Sequence, residues 1–325
     1  MTSDYRKTIA RLVDWRTNYA NTQETCEREE REAFLMRHGY PLDLDAPKTF
    51  SEKLVWRKLY DRNPLLPVIV DKYAVRGYIT RVLGERDASA ILTPLIASDT
   101  DPARLRFDTF GDEFIVKANH GSGTNLIVRG EQRPEPDEIV RKCREWLARP
   151  YGLEHHEWAY QSVQRRIVVE RLLRRQDDRP PREYKFQMFG GKCVLVQALN
   201  SDAWYDGINH KDSQMPSLSY FTPEWKWLDV SWFFYFLDQE FPVDPTLPRP
   251  ARLAAMLALA EELSKPFDYI RVDLYDTIDG IKFGELTPYH LTGHAKITPF
   301  EFDLELGGRW QQRQPRLRDL LPLAA

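Results

Sequence analysis

The chain has 325 residues, 42% of them hydrophobic, and a formal net charge of −3. It is long enough for one large or two moderate domains with buried cores, and its slightly acidic balance gives no electrostatic support for a nucleic-acid partner. The three cysteines, Cys26, Cys143 and Cys193, are far apart, which argues against a disulfide framework and a thiolate zinc site. No segment has the roughly 18 to 20 apolar residues of a membrane span, and the N-terminus lacks the apolar core of a signal peptide. We therefore expect a cytoplasmic protein.

A helix is predicted from Lys72 to Leu83, with Asp71 as its N-cap and Gly84 at its end. Lys72 and Arg76 would lie in its first turns, where a cation opposes the helix dipole. Such a placement indicates side chains that reach for an anion. A solvated helix face is the alternative.

A glycine-containing loop follows the apolar run Phe114 to Val116 and precedes the run Leu126 to Val128. The pattern predicts a strand, a flexible loop and a returning strand, and the loop N–H groups can surround phosphate oxygens. Lys117 ends the first strand, where its side chain could reach an α- or β-phosphate. The loop is neither a Walker loop nor a GxGxxG turn that opens a helix. We predict a phosphate-binding lid, with a simple turn as the alternative.

The run RRIVVERLLRR, Arg165 to Arg175, predicts a buried strand that contains one acidic residue, Glu170. The stretch from Glu170 to Leu172 fits a hinge whose backbone contacts an adenine edge. A salt bridge on an edge strand is the alternative. The next run, EYKFQMFGGKCVLVQALN, predicts a hairpin that turns at two adjacent glycines, with Glu183 and Lys185 near its start.

The segment YIRVDLYDTIDGIKFGELT, Tyr269 to Thr287, predicts two strands joined by a tight turn. Alternation places Arg271 and Asp273 on one face, and pairing across the hairpin would bring Glu285 beside them. Two carboxylates and a guanidinium on one sheet face predict a site for a divalent cation and a phosphate.

Two histidines, His290 and His294, follow this hairpin at the i, i+4 spacing of a helical zinc pair. Pro288 and the Thr292-Gly293 dipeptide disfavour a regular helix there. Substrate contacts or surface positions are therefore the favoured interpretation.

In chain order, the phrases FIVK with HGSGTN, VVERLL, EYKF, RVDLYD and GELT resemble the TupA-like (teichuronopeptide-biosynthesis) branch of the ATP-grasp superfamily. The phrases PKTFSEKLVWRKLYDRNP and VDKYAVRGYI are similar to that branch as well. The resemblance implies an α+β ATP-grasp fold in which two α+β subdomains clamp ATP. It divides the chain into a helical N-terminal segment (1–65), a helix and strand region of the core (66–110), a small subdomain with the glycine-rich lid (111–172) and a large subdomain with the metal site (173–325).

The resemblance also implies ATP and Mg2+ as ligands and a role for each matching residue. ATP would be held by Lys72, Lys117, the lid residues His120, Gly121, Ser122, Gly123, Thr124 and Asn125, the adenine-contacting residues Glu170, Arg171 and Leu172, and by Glu183 and Lys185. Arg271 and Lys211 would neutralise charge on the transferring phosphoryl group, and Asp273, Glu285 and Thr287 would hold the metal.

This sequence departs from the branch at two places. Thr287 stands where many ATP-grasp enzymes have an asparagine metal ligand, and a threonine hydroxyl is a weaker ligand. The segment 288–299, PYHLTGHAKITP, replaces a loop of small residues that normally shapes the second-substrate pocket. The departures leave the metal number and the acceptor open.

The activity that the resemblance implies is an ATP- and Mg-dependent carboxylate–amine ligase that works through an acyl phosphate. Its partners would be ATP, a small-molecule or glycan carboxylate and an amine acceptor, in surface-polysaccharide or secondary-metabolite biosynthesis. Two alternatives use the same nucleotide site: a sugar or glycan phosphotransferase and a non-catalytic nucleotide- or glycan-binding protein. A homodimer is among the assemblies that the sequence leaves open.

Overall fold

The computed structural model describes residues 23–130, 133–175, 177, 180–200, 217–233 and 241–312. Within this part of the chain, the strands form antiparallel sheets of four, five and two strands, with helices packed against them. The predicted α+β class is confirmed. None of the described helices is long and apolar enough to cross a membrane.

The described part of the chain contains the following α-helices and strands in order. The helices are α1 (Gln23–His38), α2 (Phe50–Tyr60), α3 (Leu66–Ile69), α4 (Val75–Leu83), α5 (Glu85–Ile91), α6 (Pro136–Ala148), α7 (Trp158–Gln161), α8 (Leu253–Ser264) and α9 (Phe300–Arg309). The strands are β1 (Leu95–Asp99), β2 (Glu113–Ala118), β3 (Asn125–Arg129), β4 (Ile167–Glu170), β5 (Arg182–Phe189), β6 (Lys192–Asn200), β7 (Ser217–Phe221), β8 (Ser231–Phe233), β9 (Tyr269–Thr277), β10 (Gly280–Thr287) and β11 (Lys296–Thr298).

The four-stranded sheet has the order β1-β4-β2-β3 and contains the predicted glycine loop. Its β2–β3 hairpin pairs Lys117 with Asn125, so the loop between them leaves the sheet at that rung. Phe114 and Val116 point away from the site and pack with Ile139 of α6 in one buried cluster. The strands are therefore anchored by their apolar face, which leaves the loop free to meet a ligand.

The five-stranded sheet has the order β10-β9-β5-β6-β7 and presents two unlike faces. Phe186, Val272 and Leu274 belong to the largest buried cluster, which also includes Met256 of α8 and Ile79 of α4. Because neighbouring residues of a strand point to opposite faces, the residues between these apolar ones line the other face. We call that second face the polar face.

One helix and one strand are shorter in the structure than the sequence predicts. The helix predicted from Lys72 is regular only from Val75, with a turn over residues 72–74 ahead of it. Asp71 makes the contacts of the predicted N-cap: its carboxylate accepts from the backbone N–H groups of Tyr73 (2.8 Å) and Ala74 (3.2 Å), and its carbonyl accepts from that of Val75 (2.9 Å). The strand predicted over residues 165–175 is confined to β4, an internal strand flanked by β1 and β2. The limits of the four predicted domains stay a prediction.

Candidate active site

Arg271 on β9 is the centre of the charged group on the polar face. Its Nε and Nη2 donate to the two carboxylate oxygens of Asp273 at 2.7 and 2.6 Å. Nη2 also lies 2.5 Å from Oε1 of Glu285. The β9–β10 register pairs Glu285 with Asp273, so the expected approach of these residues across the hairpin is confirmed. The bidentate geometry is the strong form of an arginine–carboxylate pair.

Lys185 of β5 brings a second cation to the same carboxylate. The register pairs Lys185 with Asp273, and its Nζ lies 2.8 Å from Asp273 Oδ2 and 2.7 Å from Glu183 Oε2. We call Arg271, Asp273, Glu285, Lys185 and Glu183 the Arg271 cluster. It contains two cations and three carboxylates, so negative charge is in excess.

Glu285 is the accessible member of the Arg271 cluster. Its side chain is 37% exposed, whereas that of Asp273 is fully buried. Burial acts to raise the pKa of Glu285, but the charges of Arg271 and Lys72 lower it to about 2. This carboxylate is therefore ionised at neutral pH.

Thr287 has a role that sequence reasoning missed. Its hydroxyl donates to Glu285 Oε1 at 2.7 Å, while its backbone pairs with Arg271. The hydroxyl thus orients the Glu285 carboxylate. The predicted direct contact of Thr287 with a metal stays a prediction.

The donor set of the Arg271 cluster fits Mg2+, which prefers oxygen ligands and few protein carboxylates. Asp273 Oδ2 and Glu285 Oε1 both lie within 2.6 Å of Arg271 Nη2, so a metal ion bound by both oxygens would displace that nitrogen. Among the described residues, no group of three or more histidine, cysteine, aspartate or glutamate side chains could hold a metal ion. A metal here would depend on two carboxylates and on oxygens from a ligand or water.

The two lysines expected at the phosphates lie across from the Arg271 cluster. Lys72 Nζ donates to the carbonyl of Gly121, and Lys117 Nζ lies 2.9 Å from Glu170 Oε2. Burial lowers the pKa of Lys72, while the charge of Glu285 raises it and that of Lys117 lowers it. Lys72 therefore lies within electrostatic reach of both Glu285 of the Arg271 cluster and Lys117.

The glycine loop is shaped by two residues in the left-handed region, Gly121 (φ 82°) and Gly123 (φ 73°). A Cβ atom on Gly121 would overlap the ring of Tyr151, whereas one on Gly123 would meet open space. The Tyr151 hydroxyl is hydrogen-bonded to Ser122. Glycine is thus required at the first position by both backbone and packing.

His120 opens the loop as a buried anchor. Its side chain is directed at the Arg149 carbonyl, 3.2 Å from Nε2, and burial lowers the pKa of the ring. The rest of the loop, through Thr124, leads into Asn125 at the start of β3. The predicted phosphate contacts of this loop stay a prediction.

Glu170 is the last residue of β4 and takes part in a salt bridge. Its strand is internal, whereas the alternative interpretation of the sequence placed this salt bridge on an edge strand. Lys117 and Arg76 contact its two oxygens at 2.9 and 3.2 Å. The backbone N–H of Arg171 donates to the Pro94 carbonyl at 3.0 Å, and Leu172 is buried. The stretch 170–172 connects the four-stranded to the five-stranded sheet, and its predicted adenine contact stays a prediction.

His290 lies beside the site, and its contacts differ from those of the zinc pair considered from the sequence. Its Nδ1 lies 2.8 Å from Arg271 Nη1, whereas His294 Nε2 contacts Glu30 at 2.8 Å. Leu291 and Thr292 have positive φ, which breaks the helical spacing between the two histidines. Lys211, the second predicted catalytic residue, lies outside the described residues.

Similar solved structures include the D-alanine–D-alanine ligase from Bacillus anthracis, with 18% identity over 68% of this chain and 57% of that one at a TM-score of 0.36. The enzyme of that name from Helicobacter pylori has 15% identity over 75% of this chain and 62% of that one, at 0.40. The ATP-grasp ligase PsnB, in complex with a phosphomimetic precursor variant, Mg and ADP, has 12% identity over 80% and 66%, at 0.40. This chain thus spans less than two thirds of the length of each. A comparison with curated proteins finds no match.

The family model described as TupA-like ATPgrasp matches residues 52–311. That range includes Lys72, the glycine loop, Glu170 and the whole Arg271 cluster, which are the residues that the fold brings to one site. The resemblance drawn from the sequence phrases and the predicted ATP-grasp fold are confirmed, and the chain belongs to the TupA-like ATP-grasp family.

Proposed function

We propose that this protein is an ATP-dependent carboxylate–amine ligase that forms an amide through an acyl phosphate and releases ADP and phosphate. The observation that carries the proposal is the Arg271 cluster facing Lys72, Lys117 and the glycine loop. The two lysines on one side would hold ATP phosphates, and the carboxylates in excess on the other side would hold a magnesium ion, so that positive charge would meet two anions, ATP and a carboxylate.

ATP would lie between the two sheets. Lys72, Lys117 and the N–H groups of the loop from His120 to Asn125 would hold its phosphates, and the hinge from Glu170 to Leu172 would contact the adenine. Glu183 would bind the ribose hydroxyls, with Lys185 beside it. Binding phosphate would replace the present partners of both lysines, the Gly121 carbonyl and Glu170.

In the first step, a carboxylate oxygen of the substrate attacks the γ-phosphorus, and the bond from that phosphorus to the bridging oxygen of ADP breaks. Arg271 would neutralise the charge on the transferring group through its fixed positive charge. Its fork is held by Asp273 and its Nη1 by His290, so a direct contact with a phosphoryl oxygen would replace one of these partners. Lys211, outside the described residues, would neutralise the same charge. Mg2+ held by Asp273 and Glu285 would supply further positive charge to the phosphate oxygens.

In the second step, the amine nitrogen attacks the acyl carbon, the acyl–phosphate bond breaks, and phosphate leaves. The amine loses one proton in forming the amide. The resemblance favours an amino acid or a uronic acid as the carboxylate, in surface-polysaccharide or secondary-metabolite biosynthesis.

The test is ADP release from ATP and magnesium in the presence of pooled carboxylates and amines, with hydroxylamine added to trap the acyl phosphate as a hydroxamate. Asp273→Asn and Glu285→Gln are each expected to lower the rate by at least about 100-fold, the scale of losing one electrostatic stabiliser. Glu305→Gln, an exposed carboxylate of α9, is the matched control and should keep the native rate.

Each other product pattern would contradict the proposal in its own way. Release of AMP and pyrophosphate would exclude an acyl-phosphate ligase. A stable phosphorylated sugar without an amide would identify a phosphotransferase. ATP binding without turnover in any pool would indicate a nucleotide-binding protein.

A further inference from the structure

Among the described residues, three of the buried side-chain nitrogen atoms without a hydrogen-bond partner lie on the polar face or next to it. They are Gln197 Nε2 on β6, Trp232 Nε1 on β8 and His290 Nε2 after β10. The three residues are only 1%, 1% and 4% exposed. An unpaired buried donor costs about 1–3 kcal/mol, so such groups are few in folded proteins and each calls for an explanation.

His290 presents an N–H group because of its contact with Arg271. A guanidinium can only donate, so Nδ1 at 2.8 Å must accept, and the proton of a neutral ring lies on Nε2. Burial and the charge of Arg271 lower the pKa of His290 far below its ordinary value, which keeps the ring neutral. The unpaired atom is therefore a donor.

Gln197 is oriented by a chain of hydrogen bonds on the polar face. Tyr269 donates its hydroxyl to Gln187 Oε1 at 2.7 Å, and Gln187 Nε2 donates to Gln197 Oε1 at 2.8 Å. Gln187 pairs with Arg271 in the sheet register. The amide nitrogen of Gln197 is thus the end of the chain that remains to be satisfied.

Trp232 links the other two donors in space. Its ring centroid lies 4.5 Å from that of His290 and 5.6 Å from that of Tyr220. Tyr220 pairs with Gln197 across β6 and β7, so the two residues share the polar face. The donors therefore border one region that begins at Arg271.

We propose that Gln197, Trp232 and His290 form a subsite for a second, non-reacting carboxylate of the substrate. The inference rests on the proposed function and specifies its substrate as a dicarboxylate. The three groups offer N–H donors, since the Gln197 oxygen already accepts from Gln187. The neighbouring cations are Arg271 beside His290 and Lys185, which pairs with Gln197 in the sheet register, and both also contact Asp273. Carboxylate oxygens accept several hydrogen bonds and donate none, so they complement this set.

Direct binding tests the subsite without requiring turnover. The melting temperature of the full chain is measured with glutarate and L-glutamate, and with their monocarboxylate counterparts butyrate and L-glutamine. A ligand stabilises the folded state more when it binds more tightly. We therefore expect the dicarboxylates to raise the melting temperature more than their monocarboxylate counterparts. Equal shifts for the two pairs would overturn the proposal.

Trp232→Phe keeps an aromatic ring and removes the N–H, and Gln197→Met removes the amide. Each should weaken glutarate binding by about tenfold or more, the range expected for one hydrogen bond to a charged group. Trp225→Phe is the matched control, because the Trp225 N–H donates to the Leu247 carbonyl at 3.0 Å and lies away from the polar face. If Trp232→Phe does not fold, the binding test relies on Gln197→Met.

The outcomes separate this inference from the proposed function. Dicarboxylate binding that the Trp232 and Gln197 variants lose supports the subsite, even if no amide is formed. Native binding in both variants overturns the subsite and assigns the three donors to buried water. If the protein then ligates a monocarboxylate with release of ADP, the proposed function stands without the subsite.

Discussion

Two of the buried charge clusters in the described part of the chain differ in how their partners are distributed. In the first, which we call the Glu30 cluster, the Glu30 carboxylate meets Lys58 at 2.7 Å, His156 at 2.7 Å and His294 at 2.8 Å. One carboxylate thus has three partners. In the Arg271 cluster the ratio is reversed, because three carboxylates share two cations.

The clusters also differ in access to solvent. In the Glu30 cluster, the side chains of Glu30 and Lys58 are 2% and 0% exposed, whereas Glu285 in the Arg271 cluster is 37% exposed. Removing one partner from a closed group destabilises the fold, because the other charge is left buried without compensation. An open group with excess negative charge retains capacity for a cation. Buried charge alone therefore does not identify an active site.

The largest expected effect comes from the same substitution made in both clusters. Glu30→Gln leaves the Lys58 ammonium buried without a carboxylate and should lower the free energy of unfolding by about 3–5 kcal/mol. Glu285→Gln should lower it by no more than about 1 kcal/mol, because water screens its ion pair. Urea denaturation measures both values.

Activity should follow the opposite order. Per folded molecule, Glu30→Gln should retain the native rate of ADP release, while Glu285→Gln loses it as described above. A Glu30 variant of native stability, or a Glu285 variant that unfolds at low urea, would show that the contrast between the two clusters is wrong.

A pH effect is expected at Glu157, which lies beside the Glu30 cluster. Burial raises the pKa of Glu157 from 4.5 to about 8, although the charge of Lys58 acts against this. The folded protein therefore holds a proton that the unfolded chain releases. The stability that this bound proton contributes is complete below pH 4.5 and is lost as the pH rises through about 8.

The slope in that window is about 1.4 kcal/mol of unfolding free energy per pH unit for one proton. Urea denaturation between pH 5 and pH 8, compared for the native protein and Glu157→Gln, isolates this contribution. Relative to the variant, the native protein should lose stability as the pH rises across this range, since only the native protein releases the Glu157 proton. Parallel curves would mean that Glu157 is already ionised within the fold.

The last expected effect concerns the glycine loop between β2 and β3, where two substitutions are compared with each other. Gly123→Ala should lower the free energy of unfolding by about 1–2 kcal/mol, because alanine is strained in the left-handed region. Gly121→Ala must also displace the Tyr151 ring and should be less stable by a further amount of about 1–3 kcal/mol. It should also raise the KM for ATP more than Gly123→Ala does. Equal effects at the two glycines would contradict the packing of Tyr151 on the loop.

Local patterns were sufficient for several parts of the site. Alternation and a tight turn predicted that Arg271, Asp273 and Glu285 share one face, and the strand–loop–strand pattern placed Lys117 at a loop edge. They were less exact at the end of a helix. Asp71 makes the predicted capping contacts, but the regular helix α4 begins at Val75, so Lys72 lies in the turn before it.

What the sequence by itself determined is the β9–β10 hairpin, since its contacts are set by a period of two and a short turn. Only the tertiary structure decided that Lys185 contacts Asp273, that the Thr287 hydroxyl orients Glu285, and that His290 approaches Trp232. The physical reason is strand order. Strand β5 lies between β9 and β6 although more than 80 residues separate Lys185 from Asp273, and no local periodicity specifies which distant strand becomes a neighbour.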